Sequence, residues 1–210
     1  HAERHYRLAR GCYTPALNLI HRMIELNTSQ SAADTQAALP RFEDFGLAPP
    51  VLQALAEQRY VHPTPIQAKA IPLVLQGRDV MGAAQTGTGK TAAFALPLVE
   101  RLADTPAVPQ ALVLCPTREL TMQVSASIWR LGGARGVKVI GVYGGQPIFR
   151  QIKALQAGAH VIVATPGRLL DHLRRGTLKP EALKTVILDE ADEMLAMGFL
   201  DDIQAILEQL

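Results

Sequence analysis

Short apolar runs recur along the chain and are separated by longer stretches of mixed polarity. The runs lie at residues 79–83, 111–115, 137–142, 160–164 and 185–188. Their apolar residues follow one another without the alternation of a half-exposed strand. This pattern is typical of central strands in a parallel sheet that is covered by helices on both faces.

Helix-length stretches lie between these runs, at 89–102, 117–131, 147–157 and 166–175, and a further helical pattern covers 194–210. The alternation of strand and helix predicts βαβ units and therefore an α/β domain with a mostly parallel sheet. In sheets of this kind, ligands bind beyond the carboxyl ends of the strands. Functional residues are therefore expected directly after each apolar run.

The first 40 residues have a different texture. Leu17, Ile20 and Ile24 have helical spacing, which predicts a short amphipathic helix over 15–26, and residues 27–34 are polar and linker-like. The segment could be a docking helix, a flexible extension or a non-native addition. Its histidines have no acidic or cysteine partner at metal-ligand spacing. We therefore predict an extension over 1–40 and the α/β domain over 41–210.

Composition narrows the class of protein. The 210 residues, 48% of them hydrophobic, suit one domain with a real core. A net charge of +2 does not by itself indicate nucleic-acid binding. Cys12 and Cys115 are too few for a disulfide framework or a zinc site, and Cys115 is expected to be a buried thiol. No apolar stretch reaches the ~20 residues of a membrane helix, so a cytoplasmic location is expected.

A phosphate-binding loop follows the first apolar run. It reads Ala84, Gln85, Thr86, Gly87, Thr88, Gly89, Lys90 and Thr91. The glycines let successive backbone N–H groups point into one concavity at the start of a helix. Lys90 supplies a charge for the β- and γ-phosphates, and the Thr91 hydroxyl suits Mg²⁺. Ala84 replaces the glycine that the general pattern has first.

A pair of carboxylates follows the last apolar run. Asp189 can hold Mg²⁺, directly or through a water, and Glu190 can orient or deprotonate the attacking water. Together with Lys90 they complete one side of a site for nucleotide hydrolysis. Asp192 lies about one helical turn further on and could connect the site to neighbouring loops.

These residues resemble the DEAD-box RNA helicase family. The motifs that carry the resemblance occur in order: Pro-Thr-Pro-Ile-Gln at 63–67, the loop at 84–91 with its leading alanine, Pro-Thr-Arg-Glu-Leu at 116–120, Gly-Gly at 144–145, Thr-Pro-Gly-Arg at 165–168 and Asp-Glu-Ala-Asp at 189–192. The resemblance covers about 41–210. It implies a RecA-like P-loop domain that binds ATP and Mg²⁺.

The resemblance also implies an adenine pocket. Gln67 is expected to read the adenine edge, Tyr60 to stack on the base, and Phe42 to support the pocket, although Phe42 could instead be an ordinary packing residue. The family usually has glycine where Arg59 stands, a departure that bears on the geometry of this loop and not on the function.

RNA contacts are implied for a further set of residues: Pro116, Thr117, Arg118, Gly144, Gly145, Thr165, Pro166, Gly167 and Arg168. Hydroxyls, backbone N–H groups and guanidinium groups suit the RNA backbone, so binding should be largely independent of sequence. Thr117 and Thr165 also occupy expected helix N-cap positions. Arg118 could instead pair with Glu119 or another carboxylate.

The family's Ser-Ala-Thr motif and second RecA-like domain do not occur within the 210 residues. We therefore expect the sequence to be part of a longer protein, and expect this part alone to have little ATPase activity and no unwinding activity. An ATP-gated RNA clamp that does not unwind is the alternative. A DNA-acting helicase or another P-loop ATPase is disfavoured by the motifs at 63–67 and 165–168.

Overall fold

The computed structural model describes residues 40–85, 87–104 and 106–210. The predicted helix over 15–26, the linker over 27–34 and Thr86 of the phosphate loop lie outside the described residues.

Four of the five predicted strands form a parallel sheet. They are β1 (Ala111–Leu114), β2 (Val139–Val142), β3 (Val161–Ala164) and β4 (Thr185–Leu188), in the order β2-β3-β1-β4. Ala111 is level with Val161 on one side and with Thr185 on the other. Because the strands are parallel and in register, all four carboxyl ends lie at one edge of the sheet.

Both faces of the sheet are covered at its central strands. Ala111 and Val113 of β1 belong to one hydrophobic cluster, whereas Leu112 and Leu114 belong to the other, and all four side chains are fully buried. Alternate residues of a strand point to opposite faces, so the two clusters are the two layers between sheet and helices. This confirms the predicted parallel sheet and its double cover at the central strands, whereas Val186 and Leu188 of the edge strand β4 are exposed.

Eight α-helices surround the sheet in the described part of the chain: α1 (Pro49–Glu57), α2 (Pro65–Leu75), α3 (Lys90–Arg101), α4 (Arg118–Gly132), α5 (Ile148–Gln156), α6 (Pro166–Arg174), α7 (Ala191–Ala196) and α8 (Leu200–Leu207). Helices α1 to α4 contribute to the first cluster and α5 to α8 to the second. The four helices predicted between the apolar runs are confirmed, and their ends differ by one residue at most.

The prediction of a strand over 79–83 is wrong. The segment forms no strand, and Val80 and Met81 are exposed. A strand needs neighbouring backbone to accept its N–H groups, and none of the strands in the described part of the chain pairs with this segment. The phosphate loop therefore follows an irregular segment.

The helical pattern over 194–210 is interrupted. Gly198 has φ of 85°, a left-handed conformation that ends a helix, and it separates α7 from α8. Met194, Ile203 and Ile206 are nevertheless buried in the second cluster, whereas Leu210 is exposed.

Candidate active site

The residues singled out by their position after a strand lie along one edge of the sheet. Thr117 comes shortly after β1, Gly144 after β2, Thr165 directly after β3 and Asp189 directly after β4. This edge is where an open parallel sheet binds its ligand. Lys90 is close enough to Asp189 for its charge to act on that carboxyl group.

The phosphate loop has the backbone conformation that its glycines permit. Gly87 and Gly89 have φ of 84° and 87°, and α3 begins directly afterwards at Lys90. The Thr88 hydroxyl donates a hydrogen bond of 2.6 Å to the carbonyl oxygen of Gln85, which closes the turn. Side chains other than glycine rarely adopt these φ values, so the loop depends on both glycines.

Gln67 connects α2 to the phosphate loop. Its side chain is buried, with 1% exposed. Oε1 accepts a hydrogen bond of 3.0 Å from the Thr64 backbone N–H, and Nε2 donates one of 3.1 Å to the carbonyl oxygen of Gly89. A Cβ on Gly89 would collide with this Nε2. The amide that is expected to read adenine therefore also holds the start of α3.

A buried hydroxyl near the loop lacks a partner. Oγ1 of Thr64 is buried and has no hydrogen-bond partner within the described residues, and it would lie 3.4 Å from a Cβ placed on Gly89. Leaving a buried polar atom unpaired costs free energy. The arrangement therefore suits a ligand or a water that supplies the missing hydrogen bond.

The aromatic residues assigned to the adenine pocket contact one another. The rings of Phe42 and Tyr60 meet edge to face, with centroids 6.1 Å apart. Phe42 is buried in the first cluster, whereas Tyr60 is 39% exposed. Tyr60 is thus accessible to a base, and Phe42 packs behind it. Arg59, in the place where the family has glycine, has φ of 60°.

Asp189 is a buried carboxyl group, with 8% exposed. Burial raises its pKa above the ordinary value; the charge of Glu190 adds to this effect, and Lys90 opposes it. Burial likewise raises the pKa of the Cys115 thiol, with the charges of Asp189 and Glu190 as further causes. The buried thiol at Cys115 agrees with the sequence expectation.

Glu190 has a strained backbone, with φ of 53° in a non-glycine residue at the start of α7. A hydrogen bond with the Glu193 side chain raises the pKa of Glu190, burial adds to this effect, and Lys90 opposes it. Asp192 is exposed in the first turn of α7. The carboxylates are therefore crowded, and Lys90 is a cation that acts on both Asp189 and Glu190.

Thr117 and Arg118 lie at the start of α4. The Thr117 hydroxyl accepts a hydrogen bond of 3.2 Å from the Leu120 N–H, which is the expected N-cap. The guanidinium carbon of Arg118 lies 5.4 Å from the centroid of the Tyr143 ring. In the described part of the chain Arg118 forms no ion pair, so the alternative of a pair with Glu119 is not realised.

The 165–168 segment begins α6. Thr165 is the N-cap residue, but its side chain makes no capping hydrogen bond, and its backbone N–H donates to the carbonyl oxygen of Val142. Pro166 is buried and Gly167 is exposed. Arg168 donates hydrogen bonds to the carbonyl oxygen of Gln146 at 3.0 Å and to Oε1 of Gln151 at 3.1 Å. Its guanidinium therefore already holds a neighbouring loop.

The structure adds residues that the sequence did not single out. Tyr143, Gln146, Gln151 and His172 form one hydrogen-bond network with Arg168, and Tyr143 and Gln146 flank the Gly144-Gly145 pair. Pro116 is buried, whereas Gly144 and Gly145 are exposed. No sequence motif connects His172 with Gln151, because the two residues lie on different helices 21 positions apart.

The described residues contain neither a metal-ligand cluster nor a membrane-spanning helix. No group of three or more His, Cys, Asp or Glu side chains in them is arranged to hold a metal ion. None of the helices formed by residues 40–85, 87–104 and 106–210 has the length and apolar character needed to cross a membrane.

The family model and the relatives that match this chain all belong to one family. The family model described as DEAD/DEAH box helicase matches residues 64–210. The DEAD-box ATP-dependent RNA helicase CshA of Geobacillus kaustophilus is 54% identical over 169 residues, which are 80% of this chain and 36% of that protein. The ATP-dependent RNA helicase DeaD of Escherichia coli is 52% identical over 170 residues, 80% of this chain and 27% of that protein.

A solved structure agrees with the fold. The crystal structure of a DEAD box protein from the hyperthermophile Methanococcus jannaschii superposes with a TM-score of 0.77 at 45% identity, and covers 80% of this chain and 46% of that one. The fold is thus the RecA-like one that the resemblance implied. The chain spans about a third of the length of the curated relatives it matches.

Proposed function

Because the chain belongs to the DEAD/DEAH box helicase family, we propose that it forms the ATP-binding half of an ATP-dependent RNA helicase. The observation that carries the proposal is the glycine-rich turn, with φ of 84° at Gly87 and 87° at Gly89, that leads directly into α3 at Lys90. A glycine-rich helix start with a lysine, in a chain whose lysine charge acts on the carboxyl groups of Asp189 and Glu190, is the arrangement that phosphoryl transfer needs.

The proposed reaction is hydrolysis of ATP to ADP and phosphate. The backbone N–H groups of residues 84–91 and the Lys90 ammonium bind the phosphates and neutralise their charge. Glu190 orients the attacking water and accepts its proton, for which its raised pKa is favourable. Positioning and charge neutralisation account for most of the catalysis in this chemistry.

Thr91 and Asp189 would hold Mg²⁺. A hydroxyl and a carboxylate are the hard oxygen ligands that this ion prefers, and it usually keeps several waters and binds phosphate oxygens as well. When bound, the ion neutralises phosphate charge. Two side-chain ligands are sufficient for such a site, so the lack of a three-residue cluster in the described part of the chain is compatible with it.

Adenine is proposed to bind against Tyr60, with Gln67 at its edge and Phe42 behind the tyrosine. The accessible Tyr60 ring and the unpaired Thr64 hydroxyl support this position. Gln67 already uses one N–H and one oxygen lone pair within the protein. Its amide retains a second N–H and a second lone pair for the base, and because only 1% of Gln67 is exposed, adenine binding would require neighbouring atoms to move.

RNA is proposed to bind along the other strand ends through its backbone. The contacting residues are Pro116, Thr117, Arg118, Gly144, Gly145, Thr165, Pro166, Gly167 and Arg168. The exposed glycines allow close approach of the phosphates, and the guanidinium groups supply charge. We propose sequence-independent binding, in which contacts to 2′-hydroxyls favour RNA over DNA.

The remaining partner is a second RecA-like domain of the same protein, which would supply an arginine to the γ-phosphate. Asp192, exposed beside Glu190, is proposed to couple the two domains. We further propose a cytoplasmic location, where RNA and ATP are available and the Cys115 thiol stays reduced.

The test is RNA-stimulated ATPase activity of this chain measured beside the complete protein. We expect hydrolysis by the complete protein and turnover lower by about 10³-fold or more for the chain alone. Comparable turnover would contradict the division of the site between two domains. Unwinding of a short RNA duplex by the complete protein separates a helicase from an ATP-gated clamp, and stimulation by RNA but not by DNA separates it from a DNA-acting enzyme.

A further inference from the structure

A buried polar cluster lies on the second face of the sheet, between α5 and α6. Gln151 is 3% exposed and His172 is fully buried. Gln151 contacts three other residues through hydrogen bonds: Tyr143, Arg168 and His172. Buried polar side chains are costly unless they are hydrogen-bonded, so a fully connected cluster defines one geometry.

The orientation of the Gln151 amide is determined by its neighbours. Arg168 can only donate, and its Nη1 lies 3.1 Å from one end of the amide, which must therefore be the oxygen. The other end lies 2.8 Å from the carbonyl oxygen of Tyr143, which can only accept, so it must be the NH₂ group. A flipped amide would lose both hydrogen bonds.

The same reasoning fixes the tautomer of His172. Its Nε2 lies 3.0 Å from Oε1 of Gln151, an atom without a proton, so Nε2 must carry one. The Thr177 hydroxyl has a single proton, which Nδ1 at 2.8 Å shares with the His172 carbonyl oxygen at 3.1 Å. Burial lowers the pKa of His172, and the charge of Arg168 adds to this effect, which is consistent with a neutral ring.

The cluster joins two of the loops to which RNA contacts are assigned. We call residues 144–146, after β2, the glycine loop, and residues 165–168, after β3, the arginine turn. Gln151 binds the carbonyl of Tyr143, directly before the glycine loop. Arg168 of the arginine turn binds the carbonyl of Gln146, the last residue of that loop. Gln151 and Arg168 thereby hold the two ends of the glycine loop.

The glycine loop has few other contacts. Gly144 and Gly145 are exposed, and no atom lies within 4 Å of a Cβ placed on Gly144, whereas one placed on Gly145 would lie 3.4 Å from Nη1 of Arg118. The Gln146 side chain donates a hydrogen bond of 2.8 Å to the Tyr143 hydroxyl, so the position of the loop depends largely on hydrogen bonds. His172 does not touch the loop, but it occupies one lone pair of the Gln151 oxygen and so orients the amide that binds both Tyr143 and Arg168.

We propose that Gln151 and His172 are positioning residues that hold the glycine loop and the arginine turn in one relative arrangement, and thereby set the affinity for RNA without affecting ATP. The inference rests on the proposed RNA-binding function. It assigns a role to two buried residues that lie outside the motifs of the resemblance.

Three variants test the pair. Gln151→Met keeps the size of the side chain and removes its hydrogen bonds. In His172→Asn the side-chain amide takes the position of Nδ1, and the donor to Gln151 is lost. In His172→Gln an N–H donor takes the position of Nε2, so this variant should retain the hydrogen bond to Gln151. We expect Gln151→Met and His172→Asn to lower the affinity for a labelled single-stranded RNA by about tenfold, with His172→Gln near the unaltered chain.

Hydrogen exchange and ATP binding are the matching readouts. In Gln151→Met and His172→Asn, the amides of the glycine loop should exchange faster, while those of Gly87 and Gly89 and the affinity for a fluorescent ATP analogue stay unchanged. A parallel loss of ATP affinity would show a general packing role and overturn the inference, as would unchanged RNA affinity. If exchange rises selectively but the unaltered chain binds no RNA, the proposed function is contradicted and the positioning pair is not.

Discussion

The side-chain Nε2 of Gln67 donates a hydrogen bond of 3.1 Å to the carbonyl oxygen of Gly89, the residue directly before α3. The donor comes from the segment assigned to adenine, and the acceptor from the loop assigned to phosphate. One side chain therefore joins the two ends of the proposed nucleotide site.

Replacing Gln67 should weaken nucleotide binding and the fold together. In Gln67→Ala the Thr64 N–H loses its partner and the Gly89 carbonyl keeps only the Ala93 N–H, so we expect a loss of about 1–3 kcal/mol in unfolding free energy. Affinity for a fluorescent ATP analogue should fall by about tenfold. The control is Gln53→Ala, which removes an exposed glutamine on α1. Equal ATP affinity in both variants would contradict the bridging role.

Replacing Arg59 with glycine should increase the stability of the fold. Its φ of 60° lies in the left-handed region, where a side chain costs about 1–2 kcal/mol, partly offset by the greater freedom of glycine in the unfolded chain. Arg59→Gly should thus raise the unfolding free energy in urea by about 0.5–1 kcal/mol. Gly46→Ala, at φ of 70°, should lower it. A destabilised Arg59→Gly would mean that the Arg59 side chain makes a compensating contact.

Replacing Asp189 should stabilise the fold and remove the ATPase activity. Its pKa is raised by burial, so the folded protein binds the proton more tightly than the unfolded chain does. Stability from this group is therefore present below the ordinary value of 3.8 and is lost as pH rises through the folded pKa. Asp189→Asn should be more stable at neutral pH by about 1 kcal/mol, and should abolish ATPase activity in the complete protein.

Thermal unfolding of the Asp189→Asn variant at acidic and neutral pH is the measurement. The stability difference from the unaltered chain should shrink as the pH approaches 3.8 from above. A variant less stable than the unaltered chain at neutral pH would contradict this account of the buried carboxylate.

His172 should make the folded chain less stable as pH falls, whereas the Asp189 carboxyl group makes it less stable as pH rises. Burial lowers its pKa below 6.5, with Arg168 and Arg175 acting in the same direction and Asp171 against them. The neutral ring's contribution is therefore present above pH 6.5 and is lost as pH falls through the folded pKa. Urea unfolding at about pH 7.5, 6.5 and 5.5 should show this loss in the unaltered chain and not in His172→Gln. Identical pH profiles for the unaltered chain and His172→Gln would refute this role of His172.

The sheet and most helices could be predicted because their pattern is local. The runs at 111–115 and 160–164 are apolar without interruption, and β1 and β3 are accordingly buried on both faces. The segment at 79–83 is weaker, with Asp79 and Gly82 beside Val80 and Met81, and strand formation also needs a neighbour in space, which a local pattern does not contain. The break in the last helical stretch had a signal, Gly198, whose left-handed φ ends α7.

The site was predictable where its chemistry is carried by contiguous motifs. Lys90 and Asp189 could be paired because both follow from the chemistry of phosphate and magnesium binding. The internal role of Arg168 and the cluster of Gln151 with His172 could not, because those hydrogen bonds join three separate elements and depend on amide and imidazole orientation. The second role of Gln67, toward Gly89, is hidden for the same reason.

The most direct test of the central claim is calorimetric titration of this chain with ATP and Mg²⁺, compared with Lys90→Ala. The control is Lys153→Ala, which removes an exposed lysine on α5. We predict weak, saturable one-to-one binding by the unaltered chain and by Lys153→Ala, and an affinity lower by at least about tenfold for Lys90→Ala. Equal affinity in all three proteins, or no binding by the unaltered chain, would contradict the claim that residues 84–91 form the nucleotide site.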